Sequence, residues 1–241
     1  MNLVVYPEKR QIGQAAAMMF AAQLLKNPRS VLGFATGSSP LPVYESLTAL
    51  YDQGLLDFSK AVSFNLDEYV GLDRDHPASY HAFMQQNLFS KINLPQENIH
   101  IPSGTESDVE QSAKAYDASI AACGGIDLQI LGIGNNGHIA FNEPCDCFPD
   151  GTHKVQLSES TIAANARFFD SADQVPRFAV SMGIGSIMRA RQIILIATGK
   201  AKAEAVLGMV KGDITPRCPA SILQLHPCVT VFADPDAAAL L

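Results

Sequence analysis

Short apolar runs alternate along the chain with longer stretches in which apolar residues return every three or four positions. The runs Leu3 to Val5, Ser30 to Ala35, Ala61 to Asn65, Ile126 to Leu131, Phe178 to Met182, Ile193 to Ala197 and Val229 to Ala233 are short and rich in β-branched and aromatic residues, which predicts strands. Glu8 to Lys26, Leu41 to Tyr51, Ser79 to Phe89, Glu106 to Ala122 and Ala201 to Val210 carry helical spacing instead. Strands that are apolar throughout are buried on both sides. Their alternation with helices predicts an α/β, doubly wound fold: a mainly parallel sheet with helices on both faces. No linker-like stretch or internal repeat divides residues 1–241, so a single domain is expected.

Ligands of such sheets bind beyond the carboxyl ends of the strands, which directs attention to three segments. In Gly33-Phe34-Ala35-Thr36-Gly37-Ser38-Ser39-Pro40 a strand runs through small hydroxyl residues into a helix. This is a layout for an anion, held by hydroxyls and free N–H groups, although an ordinary turn with Ser39 as helix cap would look the same. The Gly-Lys-Ser/Thr ending of a P-loop is missing. In Phe64-Asn65-Leu66-Asp67-Glu68-Tyr69 two adjacent carboxylates end a strand; neighbours in extended backbone point opposite ways, so one of them faces a pocket. Asp67 is the candidate general base, against the alternative of a solvated acid pair. His76 and His81, flanking the next helix start, suit structural or substrate-contacting roles better than metal ligation.

The third segment, Leu131 to Pro144, contains a formal G-x-G-x-x-G at Gly132, Gly134 and Gly137. A dinucleotide site needs a long helix directly afterwards, and Pro144 with the Cys145 to Gly151 loop interrupts the chain too early for one. What remains is a glycine-rich turn presenting Asn136, His138 and Glu143 together, a histidine with polar neighbours able to fix its tautomer and charge. Arg167 and Lys202 stand at the edges of predicted elements; each would pass for a surface charge, but a phosphate at Thr36 to Ser39 would need such partners.

Composition narrows the classes. A hydrophobic content of 47% against 17% charged residues supplies a large core, while a net charge of −7 with no basic cluster speaks against a nucleic-acid partner. No stretch approaches the ~20 uninterrupted apolar residues that a membrane helix needs, and the apolar start before Pro7 is too short for a signal peptide. The five cysteines are odd in number and irregular in spacing, which predicts a reducing, cytoplasmic setting rather than a disulfide framework. Cys145-Asp146-Cys147 is too tight for a redox CxxC, and no Cys or His stands at zinc-like spacing, so no metal is expected.

Taken in order, Thr36 to Pro40, Asn65 to Leu72, Gly134 to Pro144, Arg167-Phe168-Phe169 and Leu223 to Pro227 closely resemble the glucosamine-6-phosphate deaminase family, over nearly the whole chain. The resemblance implies a Rossmann-like sheet and a set of roles. Asp67 would be the proton-abstracting base, His138 the acid/base for opening the pyranose ring, and Asn136 with Glu143 its relay. Thr36, Gly37, Ser38, Ser39, Arg167 and Lys202 would bind the phosphate, and about residues 151–176 would form a lid. The implied reaction takes glucosamine 6-phosphate and water to fructose 6-phosphate and ammonia in the breakdown of N-acetylglucosamine, without cofactor or metal and with no nucleic-acid or membrane partner. Some relatives carry Asp where Asn136 stands; the amide orients His138 without adding charge, which leaves Glu143 as the main anionic partner.

Two other readings share this ground. Lactonases for phosphorylated sugar lactones resemble the family in fold and in the Thr-Gly-Ser and Gly-His loops, but Asn65 to Leu72 and Phe141 to Pro144 look like the deaminase versions. Sensor modules of related fold lack catalysis, whereas Asp67 and His138 are both present here. The hexameric branch of the family is activated by N-acetylglucosamine 6-phosphate through a second phosphate site just after the Asn-Glu-Pro motif and in a longer C-terminal tail. In this chain Cys145 to Leu157 offers Asp146, Asp150, His153, Val155 and Gln156 with Lys154 as its one fixed cation, so two carboxylates are expected to repel such an effector and the kinetics to be non-allosteric.

Overall fold

The computed structural model describes residues 1–166, 169 and 171–241. Ten strands are formed among them: β1 (Asn2–Val5), β2 (Val31–Phe34), β3 (Val62–Asn65), β4 (Asp67–Tyr69), β5 (Ile99–His100), β6 (Leu128–Gly132), β7 (His153–Gln156), β8 (Phe178–Ser181), β9 (Ile193–Ala197) and β10 (Val229–Ala233). The α-helices are α1 (Lys9–Lys26), α2 (Leu41–Asp52), α3 (Tyr80–Asn87), α4 (Val109–Ala122), α5 (Glu159–Asn165), α6 (Ile184–Met188) and α7 (Ala203–Lys211).

Seven of the strands form one sheet in the order β1-β10-β9-β6-β2-β3-β5, every pair parallel. From β2 the chain winds outward through β3 to β5, then returns to the other side of β2 with β6 and continues through β9 to β10. The direction of winding therefore reverses between β2 and β6, which opens a crevice at their carboxyl ends. In register, Phe34 pairs with Asn65 and Gly33 with Phe64, so Phe34 and Phe64 point to opposite faces. Phe34 stacks on Phe20 of α1 and meets Tyr44 of α2 edge-on, while Phe64 meets Tyr116 of α4; helices thus cover both faces, as the alternating pattern predicts. Between α1 and α2 the backbones approach so closely that a Cβ on Gly13 would lie 2.4 Å from the Pro42 carbonyl oxygen.

The remaining strands, β4-β8-β7, form a separate antiparallel sheet. Phe178 to Met182, expected from its apolar run as a strand, is therefore a strand but not a member of the parallel sheet. Leu66 joins the two layers: its N–H bonds to Phe34 O, and its carbonyl accepts from Met182 N. The apolar side chains of this small sheet pack with Tyr69, Phe141, Leu157, Ile162 and Val175 into a core of their own, apart from the main one. No helix of the described residues is long and apolar enough to cross a membrane.

Candidate active site

The crevice between β2 and β6 is a cavity of about 710 Å³. One wall is the turn Ala35 to Ser39. Tyr44, one turn into α2, holds this segment from below: its hydroxyl donates to the Ala35 carbonyl and accepts from Ala35 N at 3.2 Å. Gly37 has φ +92°, a conformation that glycine adopts without strain. Ser39 does not cap the next helix; Pro40 occupies that position with no side-chain cap, which leaves the Ser38 and Ser39 hydroxyls on the cavity side. Lys202, at the end of the turn Lys200–Lys202 before α7, lines the same cavity. Thr36, Gly37, Ser38, Ser39 and Lys202 are therefore brought together, whereas Arg167 lies outside the described residues.

Opposite stands Asp67, the first residue of β4, directly after the crossover at Leu66. It is 6% exposed, lines the cavity, and accepts no hydrogen bond from the described residues. Burial, with the neighbouring Glu68 charge adding to it, pushes its carboxyl from 3.8 up to about 8. The two adjacent acids do divide as the strand geometry requires. Glu68 turns away and accepts the N–H groups of Tyr69, Tyr80 and His81, each at 2.9 Å, which satisfies the open N-terminus of α3. Burial raises its carboxyl too, against those three donors. His76 and His81 border that helix start; Arg74 Nη2 lies 2.7 Å from His81 Nε2.

The loop after β6 supplies the third wall. Gly134 N bonds to the His138 carbonyl at 2.8 Å and Gly137, at φ +84°, closes the turn, so the His138 ring folds back over Gly134. Asn136 Nδ2 donates to Glu143 Oε2 at 2.7 Å, and Asn136 Oδ1 accepts from His138 N at 3.2 Å. His138 Nδ1 lies 3.5 Å from Glu143 Oε2 and has no closer partner among the described residues. Asn136 and His138 line the cavity; Glu143 stands behind them. Burial works against its charge, but the neighbouring His138, the Thr161 hydroxyl and the Asn136 amide outweigh it and draw the carboxyl down to about 2. Ala140, between them, is held at φ +51° by a turn in which the buried Asn142 Nδ2 donates to the carbonyls of Ile139 and Met182.

Sequence reasoning missed other parts of the wall. Tyr69 and Tyr80 present hydroxyls 3.4 Å apart, Tyr80 also hydrogen-bonds Thr36, and burial raises both phenols, Tyr69 to about 12. Ser160, Thr161 and Asn165 of α5 close the remaining side, within the segment expected to be a lid. Among the described residues, no three His, Cys, Asp or Glu side chains gather as a metal-binding set.

Residues 9–231 match the family described as glucosamine-6-phosphate isomerases/6-phosphogluconolactonase. This chain belongs to that family. Glucosamine-6-phosphate deaminases of Clostridium perfringens and Thermoanaerobacter pseudethanolicus are 51% and 49% identical to it over 241 residues, covering all of this chain and 100% and 95% of theirs. A solved monomeric glucosamine-6-phosphate deaminase superposes with a TM-score of 0.97 at 41% identity, over the full length of both chains. Within the same family fold, a 6-phosphogluconolactonase from Thermotoga maritima reaches a TM-score of 0.76 at 19% identity, over 97% of this chain and 99% of its own, which is a likeness of fold.

Proposed function

We propose that this protein deaminates glucosamine 6-phosphate, with water, to fructose 6-phosphate and ammonia. One observation carries the reading: a buried carboxylate with no hydrogen-bond partner among the described residues, Asp67, faces the same cavity as His138 and the hydroxyl-lined turn Thr36 to Ser39. Lactone hydrolysis needs no base for a carbon-bound proton, and the lactonase neighbours are about a fifth identical, against about a half for the deaminases.

In the reaction proposed, the phosphate is held by the Thr36–Ser39 turn and Lys202, which fixes the sugar in register. His138, steered by Glu143 and Asn136, moves the proton between the C1 hydroxyl and the ring oxygen, opening the pyranose to an aldehyde. The aldehyde acidifies the C2 hydrogen; Asp67 takes it while the C1 oxygen gains a proton, leaving an enolamine, and returns it to C1 as the amine gives up one N–H proton. The C2 amine is now an imine, which water hydrolyses to a ketone with loss of ammonia. A carboxyl whose ionisation lies near 8 both accepts and holds a proton, as a shuttle between two carbons requires. The segment of about residues 151–176, whose Ser160, Thr161 and Asn165 line the cavity, covers the sugar while this happens.

The Lys202→Ala variant should raise KM for the substrate and the inhibition constant of fructose 6-phosphate by the same factor, about 10-fold, because a phosphate contact serves both alike. Unequal changes would assign Lys202 a different role.

The reading extends to a non-allosteric enzyme of cytoplasmic amino-sugar catabolism, acting on small molecules alone. Three of the five free cysteines are exposed, which suits a reducing compartment. Asp146 and Asp150 are not bare charges awaiting an anion: Arg217 pairs with the first and Arg189 with the second, while Lys154 Nζ lies 4.5 Å from the centre of the Phe178 ring. The cations presented by this loop and its neighbours are already matched, which gives an effector phosphate little to bind. Ammonia release from glucosamine 6-phosphate, titrated with and without N-acetylglucosamine 6-phosphate, tests the whole reading. Hyperbolic, superimposable curves are expected; no ammonia overturns the activity, and a sigmoidal curve straightened by the effector overturns the regulation.

A further inference from the structure

We propose that Thr161, in the first turn of α5, is a positioning residue for the acid/base pair: it tethers one oxygen of Glu143 so that the other is held against His138. The inference rests on the proposed function and deepens it. The two oxygens of Glu143 have separate duties. Oε2 accepts from Asn136 Nδ2 and faces His138 Nδ1, whereas Oε1 is bonded by the Thr161 hydroxyl and, at 3.0 Å, by that of Ser158. Ser158 has one proton to share among Glu143, Ser160 and Thr161, all within hydrogen-bond distance, so the Thr161 bond is the one that persists.

Thr161 is itself fixed. It is 7% exposed, and its N–H is capped by Ser158 Oγ at 3.2 Å. The terminal torsion of a glutamate is soft, and a carboxylate bonded at one oxygen alone swings readily. Because His138 Nδ1 has no nearer partner among the described residues, the orientation of the imidazole depends on which way Glu143 is turned. The groups around Glu143 leave hydroxyls for this task. His138 faces it from its own loop, with the neutral Asn136, while the acid of α5, Glu159, is turned to Arg177 at 3.1 Å. The segment that covers the cavity thus also sets its acid/base pair.

The test compares Thr161→Val, which keeps the shape and loses the donor, with Thr161→Ser, which keeps the donor. With the Val variant, kcat on the closed pyranose should fall ~10-fold or more while KM stays within about twofold, and the Ser variant should restore most of the loss. Proton exchange at C2 of an acyclic substrate analogue should be untouched, since Asp67 performs it. Independently of turnover, the Glu143 carboxyl midpoint followed by ¹³C NMR in the ligand-free protein should rise by about one pH unit in the Val variant and not in the Ser variant. Wild-type kcat and an unmoved midpoint for the Val variant would overturn the inference. So would equal impairment of both variants with equally lowered melting temperatures. If the wild-type protein releases no ammonia, the functional reading fails instead, and the carboxyl midpoint still decides whether Thr161 holds Glu143.

Discussion

Asp67→Asn should abolish deamination and C2-proton exchange, by ~10²-fold at the least, while making the protein more stable. Both effects follow from the same burial. An ordinary aspartate ionises near 3.8, but folding moves Asp67 to about 8, so the folded state binds this proton more tightly than the unfolded chain does. Stability is therefore full below about pH 4 and is lost as pH rises towards 8, by about 1.4 kcal/mol per pH unit across the window. The amide carries no such penalty. The melting temperature of the variant should exceed that of the wild type by about 5 °C or more at pH 9 and match it near pH 4. Wild-type kcat/KM should in turn rise with pH as Asp67 ionises, with its acidic limb near 8. Retained exchange in the variant, or a melting difference that does not grow with pH, would exonerate this carboxylate.

Gly134→Ala should cost almost as much activity with little change in stability. A Cβ at this position would stand 2.3 Å from His138 Cε1 and Nδ1 and 2.4 Å from Nε2. Gly134 does not have a positive φ, so alanine fits the backbone and the nearest clashes fall on the imidazole. The ring must swing away from Glu143. Displacement of a catalytic group by about an ångström costs ~10²-fold, and kcat is expected to drop by that order. The Cys123→Ala variant, altered at an exposed residue that does not line the cavity, is the control and should retain wild-type rates. Near-normal kcat for Gly134→Ala would mean that His138 works from a different position.

The strands buried on both sides, such as β9 with its Ile193 to Ala197 run, announce themselves in the sequence because nothing polar is tolerated along them. β4 does not: Asp67-Glu68-Tyr69 has no apolar period, and its burial comes from pairing with β8, more than a hundred residues away. The candidate site was legible where chemistry and spacing coincide, at Thr36 to Ser39 and Asn136 to Glu143. It was not legible where tertiary contacts supply the partner. Asp146 and Asp150 look like unopposed charges until Arg217 and Arg189 arrive from 71 and 39 residues along the chain. The seven-residue α5 gives too little periodicity to separate from a loop, although Ser158, three residues before Thr161, is a cap signal that could have marked it.

The two cores of this molecule do not hold equally. The parallel sheet is packed on both faces by a large continuous interior, whereas the three short strands that begin at Asp67 rest on a handful of side chains of their own. Segments with few buried contacts open at lower free energy than the body they are attached to. The hydroxyl turn and His138 belong to the strong body; Asp67 and Thr161 belong to the weak one. Mild urea or heat will therefore silence the enzyme while most of its backbone amides are still shielded from exchange, so loss of catalysis reports the loosening of one thin layer long before it reports denaturation.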